Sequence, residues 1–377
     1  MRSIYLDYNA TTPLAPAVQE SLLPYLAECY GSPAANYPLG RASAQAIQDA
    51  RGKVAWMLGA AADEIVFTSG GTESNNLALQ GVAFRHGPGQ GHLIISPVEH
   101  ASVTQTALFL ERLGYELTML QCDSQGMVRP ADVLNALRPD TFLVSVTLAQ
   151  AEIGTLQPIR EIAEICRRRD VLLHSDAAQA PGKFPVNVAE LGVDLLSISA
   201  HKMYAPKGAG ALFVRREVAL EPTLHGEAQE RGLRAGMENV AAIVGMGAAA
   251  GVVAKNVAQA EGRLQMLRDR LWEKLSAAIG SRLTRNGAAE RSLPNTLSVN
   301  FPGVNAARLL ARCPELMAST GAVDEQTGSP RAPALQAMGL PADVAAGTAR
   351  FSLGWYTSEE EVDQAGDILL NAWESLR

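Results

Sequence analysis

The feature that most constrains this chain is the alternation, through its middle, of short β-rich apolar runs with helical stretches. The runs that read as strands are Glu64–Phe67, His92–Ser96, Glu116–Leu120, Phe142–Thr147, Val171–Ser175, Leu195–Ser199 and Ala211–Val214. Such alternation specifies a mainly parallel seven-stranded sheet covered by helices. Leu195–Ser199 is apolar almost throughout, as a strand buried on both faces must be. Pro158–Arg169 has the pattern of a crossover helix.

Beyond Asn256 the pattern changes. A charged amphipathic segment, Glu261–Ile279, leads to a strand at Leu297–Phe301. A second strand, Ala349–Gly354, precedes a helix that Ser358 and Glu361 open as a capping box. At 377 residues the chain exceeds what one hydrophobic core supports. The expected division is a large α/β domain, residues 16–255, and a smaller α+β domain made from residues 1–15 and 256–377. Thr320–Pro333 is polar and rich in small residues, and is expected to be a mobile loop.

Composition narrows the partners. A net charge of −7 argues against nucleic acid, which is bound through clustered Lys and Arg. No apolar run of about 18 residues stands out, so no membrane span is expected. The opening residues lack a secretory signal, and the expected location is the cytoplasm. Cys29, Cys122, Cys166 and Cys313 stand far apart, without metal-ligand spacing, so reduced thiols and no metal site are expected.

Three stretches could carry chemistry. In Phe67–Asn76 a strand ends, Gly70 and Gly71 turn the chain, and a helix begins; its first N–H groups and Thr72 would form an anion site, though a plain junction reads the same way. Asp176 follows a buried strand, at the sheet edge where open α/β folds bind ligands. Alone it would read better as a helix-capping aspartate. Lys202 follows the next strand, and desolvation in a cleft would lower its pKa and free the amine for a Schiff base. Ser199 and His201 beside it could hold phosphate, whereas the Pro206-Lys207-Gly208 setting reads as a surface turn. The three together match one ligand with a phosphate, a ring nitrogen and an aldehyde, as in pyridoxal 5'-phosphate (PLP).

These residues resemble the cysteine desulfurases, PLP enzymes of the class V aminotransferase group. The resemblance extends, in order, over Tyr5–Asp7 with Ala10–Pro13, Thr68–Asn76, Glu99-His100, Asp176–Gln179, Ser199–Lys202, Gln229–Arg234 and Arg350–Gly354. It implies PLP fold-type I and a homodimer acting on a small amino-acid substrate. It makes Lys202 the Schiff-base lysine, with Asp176 at the pyridine nitrogen and Gln179 at the ring hydroxyl. Thr72, Ser199 and His201 would hold phosphate, His100 would stack on the ring and move protons, and Arg350 would bind the substrate carboxylate.

The departures cluster around the substrate. Where the family's loop carries a cysteine that takes up sulfur as a persulfide, this chain has Asp324, and a carboxylate lacks the soft thiolate the step needs. Gln150-Ala151 replaces paired asparagines, and Met237 replaces a threonine that reaches the neighbouring subunit's phosphate. The expected activity is C–S cleavage of cysteine or an isomer such as isocysteine, without a persulfide on the usual loop, and with Asp324 as an acid, base or substrate contact. Transamination or racemisation on the same scaffold is the alternative. A non-catalytic relative in sulfur trafficking is a second, and it predicts loss of the cofactor residues.

Overall fold

The computed structural model describes residues 3–321 and 332–377. At its centre lies the expected sheet, built from β1 (Ile65–Thr68), β2 (His92–Ile95), β3 (Glu116–Met119), β4 (Thr141–Ser145), β5 (Leu172–Asp176), β6 (Leu195–Ser199) and β7 (Gly210–Val214). Their order across the sheet is β1-β7-β6-β5-β4-β2-β3. All run parallel except β7, which is antiparallel to both β1 and β6. Residues 200–209, between β6 and β7, hold no α-helix to carry the chain back over the sheet, so β7 returns in the opposite direction.

Alternate residues of single strands enter different apolar clusters. Ile65, Phe67, Ile94, Leu196 and Ile198 join one cluster, whereas Val66, Leu93, Ile95 and Leu195 join another. The period of two in a strand directs these sets to opposite faces, so both faces of the sheet are covered. The covering helices include α1 (Pro38–Leu58), α2 (Gly71–His86), α3 (Ala101–Arg112), α4 (Ile159–Arg168) and α5 (Val240–Ile279).

A second, antiparallel sheet has the order β10-β11-β9-β8, from β8 (Thr284–Arg285), β9 (Thr296–Asn300), β10 (Ser319–Thr320) and β11 (Thr348–Ser352). It packs with α6 (Glu359–Ser375), whose Ser358–Glu361 capping box forms as the sequence suggests. Ile4–Tyr5 pairs in parallel with Leu316–Met317, and Ile4 and Leu6 are buried in this smaller core.

Two sequence expectations need correction. The helix expected over Glu261–Ile279 begins at Val240 and runs for 40 residues. Its first half shows no polar stripe because it is enclosed: Ala242 to Val257 serve the large core, and Leu264 to Ile279 the small one. A Cβ at Gly247 would lie 2.5 Å from Ala50 Cα, so only glycine lets α5 approach α1 this closely. This helix is also long and apolar enough to cross a membrane, contrary to the expectation that no such stretch exists; 56% of its apolar window is buried inside the fold, as in a core helix. The Thr320–Pro333 loop and Asp324 fall mainly outside the described residues; of that span, Thr320 ends β10 and Pro333 opens a short helix.

Candidate active site

The site gathers at the C-terminal edge of the parallel strands. Asp176 ends β5 and Lys202 lies three residues past β6, its neighbour in the sheet. Asp176 is 5% exposed; its Oδ1 accepts from Ala178 N (2.9 Å) and its Oδ2 from Asn75 Nδ2 (2.7 Å). Lys202 is half-buried, and its Nζ donates to the backbone oxygens of Asn9 (2.5 Å) and Ala10 (2.8 Å). Burial, reinforced by the Arg350 charge, pulls this amine down to about 8, against smaller opposing pulls from Asp176 and Asp7. The turn after Lys202 needs Tyr204 at φ 66°, a left-handed conformation rare outside glycine. It is held by Tyr204 N donating to Thr12 Oγ1 (2.8 Å) and by ring stacking on Trp355 at 4.5 Å.

Asn9 is the hub that sequence reading missed. Its side chain donates to Ala151 O and Thr296 Oγ1 (both 2.8 Å), and its Oδ1 accepts from Lys183 Nζ (2.8 Å) and Asn295 Nδ2 (3.1 Å). Its backbone oxygen accepts from Lys202 and from Gln179 Nε2 (3.0 Å). Asn9 therefore ties the N-terminal segment, the large sheet and the small sheet to the amine of Lys202. Lys183, 4% exposed, also donates to Gln179 Oε1. Burial, then the charges of Lys202 and Arg350, push its pKa well below the usual lysine value.

The expected anion end falls where α2 begins at Gly71. A Cβ at Gly71 would lie 3.5 Å from that of Ser199 and 3.8 Å from that of Ala178, so the helix start abuts the ends of β6 and β5. The first-turn N–H groups lack intrahelical partners and face negative charge favourably. Thr72 is exposed in this first turn, and Ser199 is 5% exposed. His201 Nδ1 pairs with Thr11 Oγ1 at 3.1 Å. Burial, then the charges of Lys202 and Lys207, lower its pKa to about 4, so at neutral pH the ring is an uncharged hydrogen-bonding group.

His100 caps α3, with Nδ1 accepting from Ser102 N at 3.1 Å and lying 2.8 Å from Ser102 Oγ. Beside it Glu99 is 7% exposed; its Oε1 accepts from Ser96 Oγ (2.5 Å) and Thr147 N (2.7 Å), while its buried Oε2 has no partner among the described residues. Burial, with a smaller push from Asp176, raises the Glu99 carboxyl to about 8, so it is a neutral acid at pH 7. A carboxyl raised in the folded state stabilises the fold fully below its unfolded pKa, and that contribution is lost as pH rises towards about 8. Glu99→Gln keeps an acceptor for both donors and removes the titration. Its unfolding free energy in urea titrations should match the parent's at pH 4 and exceed it at pH 9, by on the order of a few kcal/mol. Midpoints that fall in parallel across this range would remove Glu99 as the titrating group.

At the opposite side Arg350 donates from Nη2 to Asp7 Oδ1 and Ser319 Oγ, both at 2.8 Å. Its Nη1 lies 3.4 Å from Ala151 O, and among the described residues its buried Nε has no partner. Gln150 is occupied locally, with Oε1 accepting from Glu152 N (2.5 Å) and Ile153 N (3.0 Å), and Met237 is 68% exposed. The structure thus brings together Lys202, Asp176, Gln179, Ser199 and the Gly71 helix start, sets Arg350 close enough to act on Lys202, and leaves Asp324 outside the described residues. Among the described residues no His, Cys, Asp and Glu cluster could hold a metal ion.

A buried carboxylate and a depressed lysine on adjacent strand ends, facing a helix N-terminus, meet the three chemical demands of PLP. Fold and site define a PLP-dependent enzyme of fold-type I. Residues 4–365 match the family model "Aminotransferase class-V". The chain is 43% identical to the cysteine desulfurase IscS of Dictyoglomus turgidum, over all of this chain and 96% of that one. It is 41% identical to the IscS of Methanosarcina thermophila, over all of this chain and 93% of that one. Among solved structures, a NifS-like protein superposes with a TM-score of 0.91 at 35% identity, covering 99% of both chains. SspA in complex with cysteine superposes with a TM-score of 0.83 at 35% identity, covering 94% of this chain and all of that one. The chain belongs to the cysteine desulfurase family within the class V aminotransferases.

Proposed function

We propose that this protein cleaves the C–S bond of cysteine, or of an isomer such as isocysteine, and releases sulfide without first holding it as a persulfide on the usual loop. The observation that carries this reading concerns Cys313, the cysteine nearest that loop in the sequence. Cys313 is fully buried, its Sγ lies 3.4 Å from Leu309 O, and burial pushes its pKa up to about 11, so it cannot stand in for the residue that Asp324 replaces.

Lys202 would hold the cofactor, with Asp176 at the ring nitrogen, Gln179 at the ring hydroxyl, and Thr72, Ser199 and His201 at the phosphate. When bound, PLP supplies an electron sink for charge developing on the substrate carbon. Arg350 anchors the substrate carboxylate through the charge of its guanidinium. Lys202, once neutral, takes the proton from the amine-bearing carbon, and sulfide departs from the carbon beside it. In both cysteine and isocysteine the sulfur sits on that adjacent carbon, so one arrangement serves either. Asp324 is assigned to the approach of the substrate's amino group or to proton delivery. The proposal includes a cytoplasmic homodimer, with exposed Leu26, Tyr30 and Met237 as surface for the second copy to cover.

The test is a visible absorbance scan of the purified protein before and after adding cysteine, then isocysteine, with sulfide assayed without added thiol. A PLP band that shifts, with sulfide appearing for parent and reduced for Asp324→Ala, is the expected outcome. A band that ignores both substrates overturns the sulfur chemistry. Stoichiometric transfer of the amino group to a keto acid would instead establish transamination.

A further inference from the structure

Four side chains form a continuous hydrogen-bond chain that crosses from β5 to α3 through α2. Asp176 Oδ2 accepts from Asn75 Nδ2 at 2.7 Å, and the same nitrogen donates to Ser102 Oγ at 2.8 Å. Ser102 Oγ in turn lies 2.8 Å from His100 Nδ1. Asn75 is 1% exposed and Ser102 8% exposed, so water does not compete for these groups.

The direction of every bond follows from one end. An ionised carboxylate only accepts, so Asn75 must turn its amide nitrogen, and not its oxygen, towards Asp176. That orientation leaves the buried Asn75 Oδ1 without a partner among the described residues, a cost that the bond to a charged acceptor offsets. The second Nδ2 hydrogen goes to Ser102 Oγ, which frees the Ser102 hydroxyl hydrogen for His100 Nδ1. The backbone N–H of Ser102 points at the same ring nitrogen from 3.1 Å. A ring nitrogen can accept that backbone N–H only when it carries no hydrogen of its own, so the neutral ring carries its hydrogen on Nε2. Among the described residues Nε2 has no partner, and His100 is exposed at the site.

We propose that Asn75 and Ser102 are positioning residues that lock His100 in the Nε2–H tautomer. His100 then offers the reacting group a hydrogen bond and has no lone pair on Nε2 with which to take a proton. Proton removal belongs to Lys202 alone, and His100 orients and polarises. The inference rests on the proposed place of His100 at the ring face, but not on which substrate is cleaved.

Nitrogen-15 NMR of the full-length protein loaded with PLP, with labelled histidine rings and His100→Asn to assign the signal, tests it directly. The expected spectrum shows hydrogen on Nε2 of His100 and none on Nδ1. Ser102→Ala keeps the backbone donor but loses the hydroxyl, and should raise the population of the Nδ1–H form about fivefold, the scale of one hydrogen bond. A wild-type ring carrying its hydrogen on Nδ1 overturns the inference, and so does a Ser102→Ala spectrum identical to the parent's. Protein with the expected tautomer that ignores every sulfur substrate would sink the functional reading and leave this one standing.

Discussion

Lys202→Ala should bind PLP only reversibly and lose at least about a thousandfold in turnover, the scale of a missing proton-transfer group before its covalent role is counted. The expectation comes from geometry: no other lysine near the site can replace it. Lys183, 4% exposed, is spent on Asn9 and Gln179, and Lys207 lies exposed in the turn beyond. Dialysis should strip the cofactor band from the variant and not from the parent. The pH dependence follows from the depressed amine. Only neutral Lys202 attacks an aldehyde, so cofactor capture by stripped parent protein should rise with pH and level off above about 8, where an ordinary lysine would still be climbing. A capture rate that keeps climbing past pH 10 would mean that burial and Arg350 do not depress this amine. A Lys202→Ala variant that retains its cofactor on dialysis would move the assignment to another residue.

Much of this was legible from strand endings. Asp176 and Lys202 announce themselves because each is polar and follows an apolar run, and the alternation of elements makes their strands neighbours. The helix start at Gly71 was legible for the same reason. Asn9 was not, because its importance lies in seven contacts to residues from Ala151 to Ser352 that no spacing reveals. Lys183 sits four residues past Gln179 in a stretch that reads as a loop, and its burial depends on Asn9 arriving from the other end of the chain. Asn75 and Ser102 lay inside or beside recognised motifs, yet their coupling requires knowing that α2 and α3 pack side by side. The first half of α5 was missed because periodicity reports contrast between faces, and a helix enclosed on most sides has little.

The buried pair Arg51–Glu230 should dominate the stability of the anion end, and Arg51→Met should cost about 3–5 kcal/mol. Strand β1 has a neighbour on one side only, β7, so Ile65 O and Phe67 N face a free sheet edge. Arg51 Nη1 donates to Ile65 O (2.8 Å), and Glu230 Oε2 accepts from Phe67 N (2.8 Å). The two side chains bind each other through paired contacts of 2.7 and 2.6 Å, so together they take the place of a missing strand. Arg51 also stacks on the Phe67 ring, 4.8 Å from its centroid. The Glu230 side chain is only 2% exposed, and removing Arg51 would leave its charge buried without its directly paired cation. The same pair holds the turn where Glu230 and Arg231 adopt φ 46° and 59°, a conformation that costs free energy and persists only while the surroundings impose it. Because β1 runs directly into Gly70 and Gly71, loosening it should also weaken PLP binding. Arg51→Met combined with Glu230→Gln removes both charges and keeps an acceptor for Phe67 N, so the double variant should be more stable than Arg51→Met alone. Urea unfolding of the parent, both single variants and the double variant completes the cycle. Costs that simply add would show that the two side chains act independently and that neither charge depends on the other at this edge.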